Sequence, residues 1–201
     1  FSKYLIFCKE VIKDSQKYVP EFLEDIVRKS LNCIHFIMTP DGQLPLFNGA
    51  NSVKLTQIEN YLKDYKPDIK NNVLGGLHRI RHKNHFVIMD IDSPPQKRFS
   101  RSYQSGPLSF EYFLDGKKII SNSGFGSNIS KKAELLSRVT ACQSTLTIND
   151  TSITNFETNV MLNKVFGNSI KNSFKSFDIV TKNENGIISC SATNNGYEKK
   201  F

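Results

Sequence analysis

Apolar residues recur along the first forty positions at the spacing of one helix face. In "YLIFCKEVIKD" they fall at Leu5, Cys8, Val11 and Ile12, which predicts an amphipathic helix. "SQKYVP" interrupts the pattern, and Pro20 suits the first turn of a second helix through Phe22, Leu23, Ile26, Val27, Leu31 and Ile34. Two antiparallel helices follow from the short connection. A lone hairpin cannot bury its faces, so it is expected to expose one and pack on further structure.

"TPDGQLPLFNGAN" then changes the regime with three turn signals, Pro40-Asp41-Gly42, Pro45 and Asn48-Gly49. A short helix is expected in "KLTQIENYLKDY", with Leu55, Ile58, Tyr61 and Leu62 on one side. From Leu74 the period becomes two. "GGLHRIRHKNHFVIMDID" reads as strand, turn, strand, anchored by Leu77, Ile80, Phe86, Ile88 and Met89. "LSFEYFLDGKKIISNSG" reads as a hairpin about Asp115-Gly116. "RVTACQSTLTIND" alternates and is expected to be another strand, and "SFDIVTKNENGIISCSATNNGYEKKF" two more about a Gly turn. Asn163 to Ser176 is expected to be a loop. Short strands between Gly, Asp and Asn turns predict an antiparallel β-sandwich preceded by α-helix.

The composition narrows what such a chain can do. Among 201 residues, 38% are hydrophobic and 15 are Phe, enough for a packed core and too many for a disordered chain. No stretch reaches the roughly 20 apolar residues of a membrane helix, so no membrane insertion is expected. The first residue is Phe1 and the last lies just after "GYEKK", so the chain is expected to be a piece of a longer protein. The formal charge of +8 favours polyanionic partners. The cations are scattered, without the basic stripe and clustered aromatics of a nucleic-acid binder, and nucleic acid is therefore not expected. Cys8, Cys33, Cys142 and Cys190 form no CxxC pair, which argues against a cysteine zinc site.

Candidate chemistry lies in two stretches. His78, His82, His85, Asp90 and Asp92 are types that donate to a divalent ion. Their spacing does not converge them, and His82 and His85 are expected to flank a turn and face water. Asp90 ends the apolar run "FVIM", where a carboxylate needs a partner. Arg79 and Arg81 share one strand face with Leu77, opposite His78 and Ile80. They need solvent, an anionic ligand or a carboxylate such as Asp90 or Glu111. "PPQKRFSRSY" presents Lys97, Arg98 and Arg101, either to an anion or to solvent.

"DGQLPLFNGA", "GGLHRIR", "FVIMDIDSPP", "FSRSYQSGPLSFEYFLDGKKIISNSG" and "RVTACQSTLTIND" occur in an order that resembles heparinase II/III-like proteins, especially their alphaproteobacterial branch. The resemblance runs from about Asp41 to Phe201. It implies a polysaccharide lyase built from an (α/α) toroid and a large antiparallel β-sandwich, cleaving uronic-acid polysaccharide by β-elimination. Residues 1–40 would be the end of the toroid, and 41–201 a sandwich truncated at its C-terminus. The upstream toroid would be the partner within the parent chain, acidic polysaccharide the ligand, and the bacterial cell envelope or periplasm the location. The proton-transfer groups credited in such lyases sit mainly on the toroid, so no catalytic residue is carried over onto this chain.

Relatives have an Ala-His-Ser-Thr type of motif where this chain has Ala141-Cys142-Gln143-Ser144-Thr145. In several lyases that His belongs to a metal site with an Asp at the position resembling Asp90. Gln143 disfavours a metal here, and no cofactor is expected. Asn194 and Asn195 likewise replace a His-Asp pattern. Gln143 is left with a hydrogen bond to Asp90 or a sugar hydroxyl, or with a structural place on a strand. The substrate-binding candidates are Asn48, Arg79, Arg81 and Gln143. A non-catalytic glycan-binding or cell-envelope protein on the same scaffold is the alternative.

Overall fold

A computed structural model describes residues 1–200 except 53–57, 160, 162, 164–166, 185 and 199. Helices α1 (Ser2–Asp14) and α2 (Glu21–Ile37) form the expected hairpin, and a short α3 (Glu59–Asp64) follows. The buried stripe of α1 is shifted from the expected one. Ile6 is buried and Leu5 and Ile12 are half-buried, while Cys8 and Val11 are exposed. On α2 the inward positions are Leu23, Val27 and Leu31. They pack with Ile6, Ile58 and Leu62 into one apolar cluster, so α3 closes the hairpin from one side. Leu55 lies outside the described residues. Tyr4, Phe7, Val11, Tyr18, Phe22 and Ile26 remain exposed, so the hairpin leaves apolar surface uncovered as expected, although the pattern predicts Phe22 and Ile26 on the apolar stripe of α2.

The rest of the chain is mainly antiparallel β. Strands β1 (Val73–Leu74), β2 (Leu77–His82), β3 (His85–Asp90), β4 (Phe110–Leu114) and β5 (Lys117–Ile120) form a sheet in sequential order. β6 (Ser176–Glu184) and β7 (Ile187–Asn194) form a two-stranded sheet about Gly186. Of the loop expected at Asn163 to Ser176, residues 164–166 lie outside those described.

Cross-strand register decides which side chains share a face. Arg79 pairs with Ile88 and Ile88 with Glu111; Arg81 pairs with Phe86 and Phe86 with Phe113; Leu77 pairs with Asp90. Partners in an antiparallel ladder point the same way, so this face combines an apolar centre with four ionisable groups. Phe47, Phe86, Ile88 and Phe113 form its core, Phe86 and Phe113 meeting edge to face at 5.7 Å. Each fully buried side chain of this kind contributes roughly 1.5–3 kcal/mol. Phe47 comes from the turn-rich connection after α2, so the core fastens that connection to the sheet.

Ser137–Asp150 is not a strand. Arg138 is drawn into the interior, and Thr140–Cys142 form a 3-10 turn. A bridge between Ile148 and Thr151 is its only ladder contact among the described residues. The alternation there comes from a coil whose polar side chains serve as backbone caps. Thr140 Oγ1 accepts from the Ile153 N–H at 2.9 Å, and Ser144 Oγ accepts from the Phe110 N–H at 2.9 Å.

Candidate functional site

Asn48 and Asp90 meet where the connection after α2 crosses the end of β3. Asn48 Nδ2 donates to Asp90 Oδ2 at 3.0 Å, and the Asp92 N–H donates to Oδ1 at 3.3 Å. The turn that brings Asn48 there has φ of +48° at Asn48 and +94° at Gly49. A Cβ on Gly49 would lie 2.5 Å from Ser102 Cβ, so only glycine permits this approach. Asp90 is buried while Asn48 is exposed. Burial pushes the Asp90 carboxyl up to about 6, against the opposing effects of the Asn48 and Asp92 hydrogen bonds. Tyr103 lies within its field, and burial, then the Asp90 charge, raise that phenol well above its usual range. At neutral pH the pair is a buried carboxylate and a neutral phenol. Asn48 Nδ2 is committed inward, which leaves its Oδ1 to accept from a hydroxyl outside.

Gln104 ties this turn to the stretch that contains Gln143. Its Oε1 accepts from the Gly49 N–H at 3.0 Å, and its Nε2 donates to the carbonyls of Gly124 and Ser137, both at 3.0 Å. Gln143 Nε2 donates to the same Ser137 carbonyl at 2.8 Å. Gln143 is buried and packs on Gly106, where an added Cβ would lie 3.0 Å from Gln143 Cβ. Its amide donor therefore serves the fold, joined to Asn48 and Asp90 only through Gln104 and the turn.

The arginines lie further along the same sheet face. Arg79 Nη1 donates to the carbonyls of His35 and Phe36 at 3.2 Å each, and its guanidinium stacks 4.8 Å from the Phe36 ring centre. Carbonyls at a helix C-terminus carry partial negative charge and favour a cation. Burial, then the charge of Arg81, push the Arg79 pKa down. The expected ion pairs with Asp90 or Glu111 do not form. Asp90 is engaged by Asn48, and Glu111 takes Lys118 at 3.3 Å and the N–H groups of Leu46 and Asn122 at 3.3 Å each. Arg81 is exposed, and among the described residues no carboxylate pairs with either arginine. A recess of about 380 Å³ opens here, lined by His35, Thr39, Pro67, Arg79, Arg81 and Phe86 among others.

The donor set does not fit a metal. Gln143 offers an amide turned to a carbonyl, and the carboxylate of Asp90 is capped by Asn48. Asn194 and Asn195 accept from the N–H groups of Gly196 and Lys175, at 3.0 and 2.8 Å. No three His, Cys, Asp or Glu side chains converge among the described residues. His82 and His85 face water as expected, His85 Nδ1 meeting the Tyr112 hydroxyl at 2.8 Å, while His78 is buried on the opposite sheet face.

The profile of the heparinase II/III-like C-terminal domain matches residues 66–201. The chain belongs to the heparinase II/III-like family. No curated protein sequence matches it. Among solved structures it is similar to heparan sulfate lyase HepC from Pedobacter heparinus, at 18% identity and a TM-score of 0.62 over 98% of this chain and 32% of that one. A mutant of the same lyase gives 17% identity and 0.61 over 89% and 30%. Heparinase III, the BT4657 gene product with methylated lysines, gives 19% and 0.59 over 89% and 29%. At these identities the likeness is one of fold. The chain spans about a third of the length of these lyases. It is thus a heparinase II/III-like C-terminal scaffold, antiparallel β with helices at its N-terminus.

Within this heparinase-like chain, four residues that organise the site escaped the sequence pattern. Gln104 and Tyr103 lie in "SYQSGP", which looks like a polar surface loop yet is buried from Tyr103 to Pro107. Arg138 is fully buried. It donates from Nε to the Tyr103 carbonyl at 2.8 Å, from Nη1 to the Asn168 carbonyl at 2.6 Å and from Nη2 to the Ser100 carbonyl at 2.9 Å. Phe156 stacks at 4.0 Å, and burial pushes the guanidinium pKa down to about 10. His35 sits at the C-terminal end of α2, where its Nε2 meets the Leu62 carbonyl at 3.0 Å and its ring stacks on Tyr65 at 5.8 Å. None of these roles has a local spacing signal, because every partner named lies more than ten residues away in the chain.

Proposed function

We propose that this chain is the β-sandwich end of a polysaccharide lyase that cleaves an acidic, uronic-acid-containing polysaccharide by β-elimination. In this reading residues 1–40 finish a helical toroid, 41–201 form part of the sandwich, and the sandwich supports and lines one wall of the cleft. The groups that remove and deliver protons belong to the toroid. The parent protein works in the bacterial cell envelope or periplasm, where such glycans are met. Asn48, Arg79, Arg81 and Gln143 are its substrate-binding residues. Asn48 presents a carbonyl oxygen, the arginines present positive charge, and Gln143 acts through the network that holds Asn48.

The observation that carries this reading is an arginine pair with no carboxylate partner among the described residues, beside a recess on a scaffold of this family. The net charge of +8 favours the same ligand class. The exposed face of Tyr4, Phe7, Val11, Tyr18 and Phe22 supports the toroid half of the proposal, since a helical layer would cover it. The buried, fold-serving Gln143 favours a second reading, a glycan-binding protein without catalysis on the same scaffold.

The test is equilibrium binding of a uronic-acid oligosaccharide to the full-length protein and to its Arg79→Ala/Arg81→Ala variant. A loss of about tenfold or more is expected for two charged contacts. Unchanged affinity in a folded variant removes the arginines from the site.

A further inference from the structure

We propose that the recess between the end of α2 and β2 is a subsite for one glycan oxyanion, a carboxylate or sulfate group, held by Arg79 and Arg81. This rests on the acidic-glycan reading and goes further, assigning one place on the chain and one chemical class of group.

Three observations converge on the recess. The first is unbalanced charge. Arg79 and Arg81 are two residues apart on one strand face, about 7 Å along the chain, and both line the recess. No Asp or Glu lines it with them. The acids next to the lining residues in sequence already have partners: Asp41 accepts from Thr39 Oγ1 at 2.5 Å and from Gln43 Nε2 at 3.4 Å, and Asp68 pairs with Lys70 at 3.5 Å. The end of α2 offers only about half a negative charge, which does not offset two guanidiniums.

The second observation is preorganisation. Arg79 is fixed through Nη1 by two carbonyls and by the Phe36 ring, and among the described residues Nε and Nη2 are left to donate. A guanidinium held in place loses little freedom when an anion arrives, and its fork matches the spacing of two oxygens on carboxylate or sulfate. Arg81, exposed and without a hydrogen bond among the described residues, can swing to close on the same group.

The third is shape. A volume near 380 Å³ falls in the range of about 300–1,000 Å³ usual for small-molecule sites. It admits one sugar ring with its anionic substituent. Met38, Pro67, Ile69 and Phe86 supply apolar wall, which lowers the local dielectric and strengthens the attraction.

The experiment titrates sodium glucuronate, sodium sulfate and glucose into the full-length protein and into Arg81→Gln and Lys117→Gln. Among the described residues Arg81 has no partner to lose, so its variant is expected to keep the fold. Lys117→Gln removes the same charge from the opposite sheet face. Glucuronate or sulfate is expected to bind, glucose not. Arg81→Gln should weaken binding by about tenfold and Lys117→Gln leave it unchanged. The two anion arms tell whether a carboxylate or a sulfate is preferred. Equal binding in both variants, or equal binding of glucose, overturns the subsite. If the anions do not bind yet a uronic-acid oligosaccharide does, the subsite falls and the glycan reading stands. If neither binds, both fall.

Discussion

Gln104 and Gln143 share one acceptor, the carbonyl of Ser137, at 3.0 and 2.8 Å. The shared bond joins the stretch Ser137–Asp150 to the turn that carries Asn48. The two glutamines are not equal in it. Gln104 also satisfies Gly49 and Gly124, whereas Gln143 Nε2 serves Ser137 alone. A buried polar group left unpaired costs about 1–3 kcal/mol. Gln104→Leu is therefore expected to destabilise the protein by roughly 3 kcal/mol or more, and Gln143→Leu by about 1 kcal/mol. Urea unfolding of the two variants checks the order, and a reversed order would sink the assignment of Gln104 as the joint.

Asp90 gives the stability a pH dependence of definite sign. Its carboxyl titrates at 3.8 when free and at about 6 when folded. The folded state therefore holds the proton more tightly. Below about pH 4 the group is neutral in both states and costs nothing. As pH rises from 4 through 6, stability falls by roughly 3 kcal/mol and then levels. Asp90→Asn keeps the bond to Asn48, gives up one acceptor and carries no charge. It should flatten that fall and exceed the parent by about 1–2 kcal/mol at pH 7.5. Denaturant unfolding at pH 4.5 and pH 7.5 reads this. An unaltered slope between the two would mean that Asp90 is not the titrating group.

Arg138 anchors three separate loops through the carbonyls of Tyr103, Asn168 and Ser100. Lysine cannot reproduce that fork. Arg138→Lys is expected to cost about 2–3 kcal/mol, and Arg138→Met about 3–5 kcal/mol, because three carbonyls lose a charged donor in the interior. Thermal melts would rank them. A loss below about 1 kcal/mol for either would contradict the anchoring role.

The sheet arginines separate stability from binding. Arg79 holds the carbonyls at the end of α2, and Arg81 holds nothing within the described chain. Arg79→Ala should lower stability by about 1–2 kcal/mol, and Arg81→Ala stay within about 0.5 kcal/mol of the parent. Chemical denaturation decides, and equal losses would show that Arg81 has a structural partner.

Much of the fold was legible because burial imposes a period. The alternation in "LHRIRH", "FVIMD" and "FEYFL" marks strands β2 to β4, and Asp115-Gly116 marks a turn with φ of +51° and +76°. Asn48-Gly49 was legible for a different reason, as a pair suited to left-handed backbone. "RVTACQSTLTIND" misled because Thr, Ser and Gln can alternate while capping a coil, and alternation alone does not distinguish that from a ladder. Helix α4 (Lys131–Leu136) went unforeseen although Ser130 carried the cap signal, accepting from the Ala133 N–H at 3.0 Å. The arginine pair was readable as a shared face, but its partners were not, since helix carbonyls leave no trace in side-chain pattern.

If this chain is, as proposed, the sandwich part of an acidic-polysaccharide lyase, its proton-transfer groups lie outside it. The direct measurement is ultraviolet absorbance of unsaturated products, with heparan sulfate, heparin and alginate offered in turn to the full-length protein and to residues 1–201 alone. Absorbance is expected to grow with the full-length protein on at least one of the three and to stay flat with residues 1–201. Growth with residues 1–201 alone would place the chemistry on this chain. A flat trace from full-length protein that still binds the glycan would make the scaffold a binding protein and not a lyase.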